Sequence, residues 1–254
     1  GDMSEVIVYS GVLNASDRRD VESYLAVKYS ITLPIPYTAS GVNIYNNTGY
    51  ESDIIGIGQD LTQCFDQPNT KTEGYTGISS IQNPSDLGDG EYLIFGHNGV
   101  DSRLSTTTGV PAGYDEIMQR IWQVDTTGNV GTVTLKFDLT KMGVRPRVAT
   151  DYALLIDTDT DFTNATEHII GRSIVGDTLI FTGVSFADFS YFTIALPEEG
   201  CAPGEQVFHP VHRGRHGTAG NPGEEAHPGR LSCSNGVRSC DHPESRLSST
   251  KTKD

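Results

Sequence analysis

Apolar and polar residues come in short alternating runs along most of the chain. At its start, residues 5–9 read Glu-Val-Ile-Val-Tyr, placing Val6 and Val8 on one face of an extended segment and Ile7 and Tyr9 on the other. Both faces are apolar, which predicts a strand sandwiched between layers. Asn14 or Ser16 can cap a following helix, in which Val21, Tyr24, Leu25 and Tyr29 recur at three- and four-residue steps. That stripe predicts packing through Leu25 and Tyr29. Pro34 and Pro36 stop the helix and begin an extended segment.

Strand-like runs then follow at 42–45, 53–59, 77–81, 91–96, 119–125, 131–138, 151–157, 168–174, 178–184 and 191–196, separated by Gly, Asn, Asp and Pro. Val133, Leu135 and Phe137 alternate with Thr132, Thr134 and Lys136, so one face of that run is buried and the other wet. This spacing predicts an all-β fold, a sandwich of short antiparallel strands with one N-terminal helix. Trp122, between Ile121 and Val124, reads as core rather than as a sugar-stacking platform, and Tyr9, Tyr24, Tyr29 and Tyr92 read as core rings. Beyond the last run, residues 201–254 hold few large apolar side chains, too few to offset the ordering entropy, so a disordered C-terminal tail is expected. The tail also resembles out-of-frame sequence.

Residues 5–9, together with Val21-Glu22-Ser23-Tyr24-Leu25-Ala26-Val27-Lys28-Tyr29-Ser30-Ile31-Thr32-Leu33, resemble the closing strand and exit helix of a LamG-like, concanavalin-A-type jelly roll found in large bacterial secreted and surface proteins. The resemblance continues into the β-rich module that follows such a jelly roll, through Asp53-Ile54-Ile55-Gly56-Ile57-Gly58-Gln59-Asp60, Arg120-Ile121-Trp122-Gln123-Val124, Leu154-Leu155-Ile156-Asp157 and Tyr191-Phe192-Thr193-Ile194-Ala195. It covers about residues 4–196. Gln59 stands where the family usually has Arg, and Thr62 to Pro68 replace an expected Gln/Lys/Ser-rich segment, so no role of that Arg is carried over. The resemblance implies three segments: a LamG-like terminal strand and linking helix at 1–36, a β-sandwich module at 37–198 and the tail at 199–254. It also implies an extracellular or cell-surface location, a structural or adhesive role without catalysis, and a precursor that extends upstream. Other protein subunits or surface glycans are the implied partners. A strand lacking an in-chain partner further suggests filaments built by strand addition. Polysaccharide processing or carbohydrate binding is the alternative function.

Charge narrows the choice of partner. The chain carries 33 Asp and Glu against 18 Lys and Arg, a net charge of −15. Residues 201–254 hold 7 basic and 6 acidic side chains, so the acid excess lies in the body. Such a surface repels nucleic acid and anionic lipid and attracts cations. No run approaches the roughly 20 apolar residues needed to span a bilayer, so membrane insertion is not expected. Of the four cysteines, Cys64 lies in the body and Cys201, Cys233 and Cys240 in the tail; three pairings are possible and the sequence does not choose among them.

Asp157, Asp159 and Asp161 form the clearest candidate site, because alternate carboxylates leaving a strand can converge on a hard cation such as Ca²⁺. Phe162 stands where an EF-hand has Gly and His168 where it has a bidentate Glu, so only a looser Ca²⁺ loop is open to this segment; Asx-type turns are the competing use. Asp86, Asp89 and Glu91 gather before a strand, but the interleaved Gly88 and Gly90 suit a turn. Gly56-Ile57-Gly58 lacks the third glycine of a dinucleotide fingerprint. His209, His212, His216, His227 and His242 crowd the tail near Cys233 and Cys240 without the spacing of a zinc finger. His97, in Phe95-Gly96-His97-Asn98-Gly99, reads as a strand end and turn, and no nucleophile is paired with it in sequence.

Overall fold

A computed structural model describes residues 5–72, 77–144 and 147–196. The helix α1 (Ala15–Tyr29) starts where expected: the Asn14 side chain accepts from the Asp17 N–H at 2.9 Å, and Ser30 ends the helix in a left-handed conformation. Strands β1 (Tyr37–Ala39) and β2 (Val42–Tyr45) form a hairpin. They are followed by β3 (Ser52–Asp60), β4 (Phe65–Gln67), β5 (Asn69–Lys71), β6 (Ser79–Gln82) and β7 (Glu91–His97). Next come β8 (Ser105–Thr106), β9 (Glu116–Met118), β10 (Trp122–Thr127) and β11 (Val133–Asp138). The last are β12 (Ala153–Asp157), β13 (Glu167–Ile170), β14 (Ser173–Val175), β15 (Thr178–Val184) and β16 (Tyr191–Leu196).

These strands build the expected antiparallel sandwich. One sheet runs β13-β12-β16-β10-β7-β3-β4, with β9 joined to β16 and β8 to β9. The facing sheet runs β14-β15-β11-β6-β5. Between them lies the main core, with Ile55, Phe95, Leu135, Phe181 and Trp122 among its members. Trp122 stacks on Phe192 at 5.0 Å between ring centroids and meets Phe137 at 5.6 Å, so it is a core residue as expected. The run 168–174 is not one strand: Gly171 and Arg172 break it, β13 staying in the larger sheet and β14 crossing to the smaller. A Cβ on Gly171 would stand 2.2 Å from the Ala149 carbonyl oxygen, so this crossing requires glycine.

The outer face of β3 and β7 is covered as well. Ile54, Tyr92 and Ile94 pack with Phe65, the hairpin residues Tyr37 and Tyr45, and Ala26 and Val27 of α1. Burial on both faces explains why β3 and β7 are nearly continuous apolar runs. Helix and sandwich thus share a core within one compact unit, Gly1–Pro203. No helix among the described residues is long and apolar enough to cross a membrane. The tail expected at 199–254 lies outside the described residues.

Two expectations at the N-terminus are corrected. Residues 5–9 join no sheet; Tyr9 is 45% exposed and Val8 86% exposed. The inner faces of both sheets already fill each other, so the segment finds no apolar slot between layers. The helix is also rotated relative to the expected stripe: Asp20, Ser23, Ala26 and Val27 are its buried residues, while Leu25 and Tyr29 are only half-buried. The surface beneath it decides this. The hairpin presents backbone donors, and the Thr38 N–H reaches Ser23 Oγ at 2.9 Å and the Gly41 N–H reaches Asp20 Oδ2 at 2.9 Å. Small and polar side chains therefore face inward.

Candidate functional site

Although unpaired, the segment 5–9 is held in place. Glu5 lies against α1, where its Oε1 accepts from Tyr24 Oη at 3.2 Å and its Oε2 accepts from Lys28 Nζ at 3.0 Å and Tyr29 Oη at 2.9 Å. Lys28 Nζ also donates to Tyr24 Oη at 2.5 Å. The hydrogen bond to Tyr24 and then the Glu5 carboxylate push the Lys28 ammonium above its ordinary range, while Lys28, followed by the tyrosine hydroxyls, holds Glu5 below its own. Tyr24 and Lys28 meet because they stand one helical turn apart.

From this clasp Ile7 and Tyr9 overhang a groove of about 770 Å³, whose other walls include Asp17, Asp20, Tyr24, Thr62 and Cys64. Val6, Val8 and Val12 are 66%, 86% and 101% exposed, so a second apolar row faces solvent. Beneath the groove, Asp60 joins strand end to hairpin: its Oδ1 accepts from the Thr62 and Gln63 amides and its Oδ2 from Ser40 Oγ. Burial works to raise this carboxyl, but those hydroxyls and amides outweigh it and hold the group low.

A second polar cluster is internal. His97, at the end of β7, approaches Asp53 Oδ2 through Nε2 at 3.0 Å, and its Nδ1 accepts from the Gly99 N–H at 3.0 Å. The imidazole therefore carries its proton on Nε2 and gives it to Asp53. Arg120 stands 3.9 Å from the same carboxylate oxygen and donates through Nε to the Val100 carbonyl. Asp53 sits in a bulge of β3 at φ +47°, a conformation rare for a residue with a Cβ. Burial lowers the His97 basicity, so at neutral pH the cluster balances one carboxylate against one guanidinium. Both ring nitrogens are engaged inside the protein, and the arrangement ties β3 and β7 to the segment leading into β10 rather than presenting a base to solvent.

The three aspartates singled out in sequence do lie on one loop. Asp157 is buried at the end of β12, with Oδ1 accepting from the Thr158 N–H at 2.7 Å. Asp159 Oδ1 accepts from the Asp161 N–H at 2.7 Å. Asp161 Oδ1 accepts from the Thr163 N–H at 3.1 Å and from the Thr163 hydroxyl, capping a short 3-10 turn over Phe162–Asn164. Each carboxylate is thus bonded to its own stretch of loop, although Asp157 Oδ2 is buried with no hydrogen-bond partner among the described residues. No group of three His, Cys, Asp or Glu side chains among those residues is arranged to hold a metal ion. Glu91 likewise braces turns, accepting from the Gly88 and Asn129 amides. Cys64 is free and exposed. Cys201, Cys233, Cys240 and the tail histidines lie outside the described residues.

Residues 17–190 match the family model described as a domain of unknown function, DUF8202. The chain belongs to this family. The matched span of the DUF8202 domain runs from the first turn of α1 to the residue before β16 and includes Asp53, His97, Arg120 and the three aspartates. No curated protein and no solved structure matches the chain. Sequence reasoning had not placed the Glu5 clasp or the Asp53–His97–Arg120 cluster. The signal for the first was the Tyr24 and Lys28 spacing; for the second it was an acid and a base inside otherwise apolar runs, at Asp53 and Arg120.

Proposed function

We propose that this chain is a non-catalytic structural and adhesive module of a large extracellular or surface-displayed bacterial protein, whose segment 5–9 adds as a strand to a sheet edge of a neighbouring copy. One observation carries the reading: an extended apolar segment, clasped at Glu5, that joins no strand pairing and turns Val6 and Val8 to solvent. Strand addition satisfies free backbone donors and acceptors and removes those valines from water. Burying both side chains fully contributes about 3 kcal/mol. An acceptor edge is present in the same chain. The smaller sheet ends on β14, where Val175 is 65% exposed.

A contact between segment and edge is heterologous and builds filaments unless the geometry closes into a ring. The resemblance to a LamG-like closing strand agrees with a pairing role for this segment. The net charge of −15 opposes self-association, so assembly should strengthen as salt screens it. Light scattering at rising concentration in about 0.15 M salt tests the reading on the full chain, on a chain beginning at Asn14, and on Val8→Asp within the full chain. Assembly that both changes abolish is expected. A monomer in all three overturns the proposal.

A further inference from the structure

A second groove, of about 600 Å³, crosses the outer face of the larger sheet. It runs from the loop before β9, at Tyr114 and Asp115, past Arg147 and Asp151 ahead of β12, to His168 on β13. The register explains why these meet. His168 pairs with Leu155, Ile170 with Ala153 and Ala153 with Ala195. Leu155, Ala153 and Ala195 form an outer-face cluster on which Tyr114 packs, and that brings the Tyr114 ring to 5.7 Å from the His168 ring.

Three properties of this groove select its ligand. It is open and shallow enough to admit a chain rather than enclose a metabolite, and it has an apolar part, since Ile170 and the half-buried Tyr114 ring both belong to its wall. Its polar groups are of opposite kinds: Asp115 and Asp151 only accept hydrogen bonds, whereas the Arg147 guanidinium only donates. A sugar ring matches all three, with an apolar C–H face for an aromatic platform and hydroxyls that both donate and accept. Two carboxylates against one guanidinium, in a body this acidic, disfavour an anionic ligand.

We propose that this groove binds a neutral oligosaccharide, which stacks on Tyr114 and hydrogen-bonds to Asp115, Arg147 and Asp151. The site does not depend on strand addition at residues 5–9, and either proposal can fail alone.

The test is calorimetric and NMR titration of the full chain with cellohexaose, xylohexaose, mannohexaose, laminarihexaose and chitohexaose, with hexagalacturonate as the acidic control. At least one neutral hexasaccharide should bind, shifting the amide resonances of residues 112–115, 147–151 and 168–170. Tyr114→Ala should weaken that binding about tenfold or more, Tyr114→Phe should keep it, and Asp151→Asn should weaken it, with the amide resonances of each variant away from the groove matching those of the parent. Three results overturn the proposal: no neutral oligosaccharide binds, the acidic control binds better, or Tyr114→Ala leaves binding intact. The Phe variant separates loss of the ring from loss of the hydroxyl, and unchanged resonances away from the groove separate a lost platform from a lost fold.

Discussion

Asp125 offers a sharp test of how burial and charge are balanced in this sandwich. It lies on β10, and its Oδ2 accepts from the Asn46 N–H at 3.2 Å. Burial, reinforced by the charge of Asp188, pushes its carboxyl from 3.8 up to about 6, against the pull of the Asn46 amide. The folded chain therefore holds this proton more tightly than the unfolded chain. Its contribution to stability is fully present below about pH 3.8 and is lost as the pH rises through about 6. Two pH units at about 1.4 kcal/mol each set a ceiling of about 3 kcal/mol. Partial exposure and solvent screening reduce this to about 1–2 kcal/mol.

Asp125→Asn keeps an acceptor for Asn46 and removes the charge. It should be more stable than the parent by about 1–2 kcal/mol at pH 7, and the gap should shrink several-fold by about pH 4. Urea unfolding of the two proteins side by side from pH 4 to 7.5 isolates the effect, because groups common to both cancel. A gap that is constant with pH, or an Asn variant less stable at pH 7, would refute the reasoning.

Gly96→Ala places a Cβ 2.1 Å from the Tyr50 carbonyl oxygen and 2.8 Å from Tyr45 Oη, where those two groups already share a 2.6 Å hydrogen bond. A loss of about 3 kcal/mol in urea unfolding is expected, and a change below about 0.5 kcal/mol would show that the backbone there yields easily. For Asp157, Asp159 and Asp161 the turn hydrogen bonds predict identical melting curves with Ca²⁺ and with chelator. A melting temperature that Ca²⁺ raises, and that Asp159→Asn restores, would instead mark a shared ion.

Much of the fold is local information. The alternation of Val133, Leu135 and Phe137 requires one wet and one dry face, and β11 shows that pattern. The apolar runs of β3 and β7 require cover on both sides, and they have it. The Asn14 cap opens the helix because a cap acts within a turn of its own position, whereas the helix ends at Tyr29 on the left-handed Ser30, before the expected stop at Pro34 and Pro36 is reached.

What tertiary structure alone decided are the relations among distant residues. Residues 5–9 carry the apolar pattern of a buried strand, yet a strand needs a vacant neighbour, and vacancy is a property of the assembled sheets. The helix turns Ser23 and Asp20 inward because hairpin donors lie beneath them, which no periodicity encodes. Gly171 divides one apolar run between two sheets because the Ala149 backbone passes close by. Asp53, His97 and Arg120 become one cluster, and Tyr114 meets His168, only through strand register. Sequence thus determined which segments extend, bend or cap, since those preferences arise from neighbouring atoms. Which faces meet was left to packing, because burying apolar area carries no label for the partner that buries it.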